Sequence, residues 1–210
     1  CRKIAILTSL ALGKQVDYRD IYTEGITKIT KTDIEYAKAL HASIKLLGTS
    51  KWEDDGKIYS MVAPFMIDSD HPLGLYQVQQ ICDRVGIFVN GNMLGDTMFY
   101  GKGAGKLPTA SAVVADVVDA VKHQGTNIMT IWEQDKVELG DRTNFACRFF
   151  VRVADTTSKE TIEKVFGEVE YVTLADVSGE YAFLTEKLTE GAFEEKSKQV
   201  DMIMRIRTAL

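Results

Sequence analysis

The sequence is poor in cysteine, and none of its cysteines lies near another. Cys1, Cys82 and Cys147 form no CxxC pair and no ligand-like cluster with the three histidines. That spacing excludes a disulfide-built scaffold and a Cys/His zinc site, and a reduced, cytoplasmic setting is expected. Apolar runs of about 18 residues, the length that crosses a bilayer, are missing. The apolar stretch 4–12 is not followed by a small-residue cleavage site, so no membrane partner is expected. Basic stripes are missing too. The 25 Lys and Arg residues are scattered among 30 Asp and Glu, for a net charge of −5, which excludes nucleic acid as a partner. There is no low-complexity tract and no solenoid repeat.

What is present suffices for a core: 45% of the 210 residues are hydrophobic, and the length accommodates one or two domains. The chain opens at Cys1, without an initiator methionine, directly into Arg2-Lys3-Ile4-Ala5-Ile6-Leu7. No capping Ser, Thr, Asp or Asn precedes that turn, so a piece of a longer chain starting inside a helix is expected. The spacing predicts a helix over 2–12, with Ile4, Leu7 and Ala11 on one side and Gly13 as its stop. One short helix is expected over 17–22, and a clearer one opens at Thr32-Asp33 with Ile34, Ala37, Lys38 and Leu40 on its half-buried face.

Residues 42–49 and 57–67 read as an antiparallel hairpin around the polar turn 52–56. A short helix near Gln77 to Cys82 and two strands, 85–90 and 97–100, follow, completing helices on one mixed sheet. Residues 110–122 are helical with Val113, Val114, Val117, Val118 and Val121 apolar, and Pro108 suits the first turn. Residues 125–144 read as a linker with one apolar stretch, Ile128 to Trp132. From 145 to 210 the order becomes strand 149–153, helix 158–166, strands 170–174 and 180–184, helix 189–199 and strand 202–207. The fold class is therefore α+β: a mixed or antiparallel sheet covered by helices over 1–124, then a small ferredoxin-like βαββαβ domain over 145–210.

Chemistry-bearing motifs are sparse. Gly101-Lys102-Gly103-Ala104-Gly105 lies between a strand and a helix, where bare backbone can approach a ligand and the helix start offers N–H groups to an anion. It has neither the G-x-G-x-x-G spacing nor the distal acidic residue of a dinucleotide fingerprint, so spacing alone favours a plain turn that caps the helix. Lys3 beside Leu7 has the helical placement of a proton carrier, although spacing alone favours a solvated lysine. His71, flanked by Asp68 and Asp70, lacks a nucleophile or metal partner, and His41 and His123 suit helix ends. Helix 189–199 pairs Glu194 with Lys198 at i, i+4 and reads as a solvated face.

Taken together, Cys1 to Leu7, Gly25-Ile26 through Asp33-Ile34, His71-Pro72-Leu73, the run Gly101 to Gly105, and Pro108-Thr109-Ala110-Ser111-Ala112-Val113 with Asp116 resemble the homoserine dehydrogenase family over about residues 1–122. The resemblance implies an NAD- or NADP-dependent oxidoreductase that interconverts L-homoserine and L-aspartate 4-semialdehyde in threonine, methionine and isoleucine biosynthesis. Lys3 matches the family's catalytic lysine, which transfers the proton at the substrate oxygen. Gly103, Ala104 and Gly105 match its turn against the cofactor.

The resemblance also implies that the helix after this turn packs on the nucleotide-binding domain and that strands 85–100 belong to a dimer-forming sheet, in a homodimer or higher homo-oligomer. The family's Rossmann domain, its second lysine, its acidic substrate-binding residues and the loop for a monovalent metal ion are outside these residues, which by themselves are expected to be inactive. Residues 145–210 resemble an ACT domain, the amino-acid-sensing module. Where ligand-binding members place a glycine after the first strand, this chain reads Ala154-Asp155-Thr156-Thr157-Ser158, implying weak or no threonine binding. The rival class is a non-catalytic amino-acid sensor or assembly protein built on that module.

Overall fold

The computed structural model describes residues 1–74, 84–127, 129 and 133–209. The helix expected near Gln77 to Cys82 lies outside them, as does most of the apolar stretch Ile128 to Trp132. Among the described residues no helix is long and apolar enough to cross a membrane.

Helix α1 (Arg2–Leu12) is followed by the short strand β1 (Lys14–Gln15), a 3-10 turn (Tyr18–Asp20) and β2 (Tyr22–Thr23). The expected helix over 17–22 is thus only this turn, started by the Asp17 carboxylate accepting from Arg19 N at 2.9 Å. Helix α1 ends as expected at Gly13, in the left-handed conformation. Its buried face, however, is Ala5, Thr8 and Ser9, while Leu7 and Ala11 are exposed. Small residues face inward because Thr8 and Ser9 satisfy their hydroxyls on the carbonyls of Ile4 and Ala5, at 2.7 and 2.8 Å.

Helix α2 (Lys31–Ala39) starts from a capping box, not from Thr32. Thr30 Oγ1 accepts from Asp33 N, and the Asp33 carboxylate accepts from Thr30 N at 2.7 Å. Strands β3 (Ala42–Trp52) and β4 (Ile58–Asp68) then form the expected hairpin, in unbroken register from Ala42↔Asp68 to Trp52↔Ile58. Every residue of β4 from Ile58 to Ile67 is buried, so it reads as a continuous apolar run, like a strand covered on both faces.

Strands β5 (Arg84–Gly91) and β6 (Gly95–Lys102) pair only with each other among the described residues, in a sheet separate from that of β3 and β4. The expectation of one mixed sheet for the first 124 residues is corrected accordingly. Helix α3 (Lys106–Lys122) follows. The expected linker carries structure: β7 (Glu133–Lys136) runs parallel to β1, and a second 3-10 turn spans Arg142–Asn144. Between them, Gly140 N donates to Ile58 O at 2.8 Å. A Cβ on Gly140 would lie 2.5 Å from the ring of buried Tyr59, so only glycine fits there.

The remaining elements keep the expected order: β8 (Ala146–Ala154), α4 (Lys159–Phe166), β9 (Val169–Val172), β10 (Glu180–Thr185), α5 (Glu190–Ser197) and β12 (Met202–Thr208), with a two-residue strand β11 (Leu188–Thr189) before α5. Ser158 and Thr189 cap α4 and α5 through their hydroxyls. Strands β12, β8, β10 and β9 are neighbours in that order and antiparallel. The sheet continues beyond them. The other edge of β12 pairs in parallel with β4, Arg207 opposite Phe65 and Thr208 opposite Met66. Beside it on the same edge lies β2, also parallel to β4.

Two compact units result, Cys1–Asp68 with Trp132–Leu210, and Ser69–Ile131. This division differs from the expected 1–124, 125–144 and 145–210, because strand pairing joins the last strand to β4 across the sequence. In the first unit, alternation along β8 sorts two cores. Phe150 faces Tyr36, Ala37, Met66, Ala182, Leu184 and Ile206 under α2. Phe149 stacks on Phe193 of α5 at 4.1 Å between ring centroids, and Phe166 of α4 packs on Phe193 and Phe183.

Candidate functional site

Lys3 stands exposed in the first turn of α1, and among the described residues it has no ion pair. Its helix is held from three sides. At the start, Cys1 Sγ donates to Tyr18 O at 3.1 Å and the Arg2 guanidinium lies 5.1 Å over the Tyr18 ring. Along the inner face, Ser9 Oγ accepts from Val16 N at 2.9 Å, and Ala5 packs with Val16, Ile21 and Val62. Over β3, Ile4 sits against Gly48, where a Cβ would lie 3.3 Å from Ile4 Cβ. A lysine on a helix so fixed has a defined root and a free ammonium, the arrangement a proton donor to a docked oxygen requires.

The loop beneath α1 is tied by charge. Arg19 donates to the Asp17 carboxylate through Nε at 3.0 and 3.1 Å and through Nη2 at 2.6 Å, and Lys136 bridges Asp17 and Asp20 at 3.2 and 2.9 Å. The Arg19 hydrogen bonds, chiefly, hold the Asp17 carboxyl well below the usual carboxylate range.

The glycine run belongs to the second unit. Gly103, Ala104 and Gly105 are exposed between β6 and α3, and Gly105 is the N-cap with φ 107 and ψ 161, a conformation only glycine adopts without strain. Among the described residues no side chain caps the helix, and Pro108 in the first turn has no N–H to satisfy. Bare backbone at an uncapped start of a 17-residue helix suits an anionic group such as a pyrophosphate, so the residues present fit the phosphates of a dinucleotide. On α3, Val113, Val114, Val117, Val118 and Val121 are all exposed, at i, i+1, i+4, i+5 and i+8.

The other sequence candidates have structural duties. His71 Nδ1 accepts from Leu73 N at 3.1 Å inside its own turn, and the His123 ring sits on Asp119 O at 2.9 Å at the end of α3. Glu194 pairs with Arg142 at 2.7 Å rather than with Lys198, which goes to Glu195 at 2.6 Å. The face expected to be solvated contains a fully buried charge, Glu190, because the turn Arg142–Asn144 and β12 present arginines to it.

Sequence reasoning missed that ionic core. Arg152 donates through Nε and Nη2 to Glu180 at 3.0 and 2.6 Å and through Nη1 to Asp33 at 2.6 Å. Arg207 donates through Nε and Nη2 to Glu190 and through Nη1 to Glu24 at 2.7 Å. Burial by itself would lower the Arg207 pKa, but the bonds to Glu190 and Glu24 more than offset this and raise it. For Glu24, burial acts upward and the arginines prevail, lowering it. The signal was in the pattern: Arg152 falls between Val151 and Val153, and Arg207 follows Ile206, inside strands whose apolar neighbours face inward.

With this geometry in place, the relationships of the chain are informative. A family model described as homoserine dehydrogenase matches residues 1–118. A homoserine dehydrogenase of Synechocystis is 44% identical over 126 residues, 57% of this chain and 27% of that protein. That of Helicobacter pylori is 32% identical over 163 residues, 78% of this chain and 38% of that protein. The solved homoserine dehydrogenase structure from Thiobacillus denitrificans aligns with 98% of this chain at a TM-score of 0.77 and 25% identity, using 51% of its own length. The chain spans about half the length of the solved structures it matches and less of the curated relatives. The matched region holds both α1 with Lys3 and the glycine run before α3, and the chain belongs to the homoserine dehydrogenase family.

Proposed function

We propose that the chain provides the substrate-side part of an NAD- or NADP-dependent oxidoreductase that interconverts L-homoserine and L-aspartate 4-semialdehyde, a step toward threonine, methionine and isoleucine, in the cytoplasm. The observation that carries this reading is Lys3, exposed on a helix fixed by Gly48, Ser9 and Tyr18, within the region that matches the family. Lys3 holds the substrate oxygen: its neutral amine takes the hydroxyl proton as the alcohol is oxidised, and the ammonium so formed gives that proton to the carbonyl oxygen in the reverse direction, so that full negative charge never develops there. The nicotinamide, when bound, supplies the hydride acceptor or donor. Gly103, Ala104 and Gly105 would hold its phosphates with backbone N–H groups, and a side chain at Gly105 would require a strained backbone. The valine stripe of α3 is proposed to pack against the nucleotide-binding half of the enzyme, and a monovalent metal ion is assigned to no residue of this chain. The assembly is proposed to be a homodimer or higher homo-oligomer.

Residues 145–210 are proposed to act as an ACT-like module, supported by their βαββαβ order and antiparallel neighbours β12, β8, β10 and β9. Threonine binding there is weak or absent. The turn after β8 is closed on itself, with Thr157 N donating to Ala154 O at 3.0 Å and the Thr157 carbonyl accepting from Tyr181 at 2.6 Å. Calorimetry at millimolar threonine is expected to give no saturable heat, and micromolar affinity contradicts it.

The test of the main reading is homoserine-dependent reduction of NADP or NAD by the full-length gene product. Turnover supports the dehydrogenase. A folded, cofactor-binding protein without turnover overturns it in favour of a non-catalytic sensor or assembly role.

A further inference from the structure

The region that matches the family contains two carboxylates that are withdrawn from solvent and whose cationic partners, among the described residues, lie outside it. Asp33 is fully buried in the capping box of α2, and Glu24 is half-buried just after β2. Among the described residues their cationic partners are Arg152 for Asp33, and Arg205 and Arg207 for Glu24, all beyond residue 118 where the family match ends.

The two buried arginines are built alike. Each uses Nε and Nη2 to hold both oxygens of a glutamate from the C-terminal elements, Glu180 for Arg152 and Glu190 for Arg207. Each turns Nη1 the other way, to a carboxylate of the first 68 residues, Asp33 or Glu24. Each also lies beside a tyrosine ring from that same part, Tyr36 at 5.8 Å from Arg152 and Tyr22 at 5.5 Å from Arg207. Arg152 Nη1 additionally donates to Thr30 Oγ1 at 3.2 Å, so it touches both side chains of the capping box. A guanidinium forked in this way cannot follow one partner without leaving the other, and a slip of β8 by one residue, about 3.3 Å, would break every contact of Arg152.

We infer that Arg152 and Arg207 are two matched clips through which β8 and β12 control the start of α2 and the end of β2. The C-terminal elements are therefore not an appendage. A change in their strands reaches the family region through these two side chains, because withdrawing Arg152 leaves buried Asp33 without a counterion and withdrawing Arg207 leaves Glu24 with Arg205 alone. The two parts open together.

Hydrogen exchange of the purified protein, read by peptide, tests this without reference to catalysis. In Arg152→Met, the amides of α2 are expected to lose protection at least tenfold, while the β5–β6 hairpin exchanges as before. Arg207→Met is expected to act in the same way on residues 22–24. Arg152→Lys should not restore α2, since a single ammonium cannot span Glu180 and Asp33. The double variant Asp33→Asn/Arg152→Met removes both buried charges and should recover part of the lost protection. It also decides the matter if Arg152→Met alone does not fold: a folded double variant supports the clip, and an unfolded one overturns it. Wild-type exchange of α2 in a folded Arg152→Met protein overturns it as well.

Discussion

Ile4 of α1 occupies the space that a side chain on Gly48 of β3 would need: a Cβ built there lies 3.3 Å from Ile4 Cβ and 3.6 Å from its Cγ2. The helix that carries Lys3 therefore rests on the one residue of β3 with no side chain. In an exposed part of a strand, glycine is ordinarily the weaker choice and valine the stronger. Here the sign is reversed. Gly48→Val is expected to destabilise the protein by about 1–3 kcal/mol, as overpacking does, and to shift α1. Urea midpoints of the wild type, Gly48→Ala and Gly48→Val should fall in that order, and a stabilised valine variant would show that α1 does not rest there.

At the turn before α3 the constraint is conformational. Among the described residues nothing but Pro108 Cδ, at 3.7 Å, approaches a Cβ on Gly105, so space is not limiting; the φ of 107 is. Gly105→Ala should cost about 1–3 kcal/mol of local strain, taken up by rearranging the helix start. In the full-length enzyme this is expected to raise the KM for the nicotinamide cofactor by tenfold or more with a smaller effect on the KM for homoserine. Equal effects on both would contradict the assignment.

Much of this architecture is legible in the sequence, for physical reasons that can be named. The apolar run of β4 and the strand–helix order after residue 145 are local patterns, and the chain folds them as read. The parallel pairing of Arg207 with Phe65 is not local, and no periodicity encodes which edge a terminal strand will join. Burial inverts the reading of single charges. Glu190 looks like one more acid in a polar helix, yet it is the residue that aligns Arg207 and Arg142. Asp33 was legible as part of a helix start, but its cap, Thr30, and its counterion, 119 residues away, were not. The site residues themselves rest on the resemblance of whole motifs, since neither a lysine in a helix nor three small residues in a turn carries chemistry by spacing.

Asp17 gives the loop beneath α1 a defined acid sensitivity. Its carboxyl titrates below its ordinary value of 3.8 because Arg19, above all, and Lys136 stabilise the charged form. A folded-state pKa that is depressed contributes stability above the unfolded value and loses it as pH falls. Asp17→Asn should therefore be less stable than the wild type at pH 6, with the difference shrinking as pH drops below 3.8 and in high salt. Parallel pH dependences for the two proteins would mean that Asp17 does not act through its charge.

Lys3 is proposed to move the proton at the substrate oxygen. The most direct test of this role is the kcat of homoserine oxidation by the full-length enzyme with Lys3→Ala, alongside its cofactor affinity. The kcat is expected to fall by about 10²–10⁴, the usual contribution of a positioned acid–base group, while cofactor affinity stays near wild type. A variant that retains wild-type kcat contradicts it.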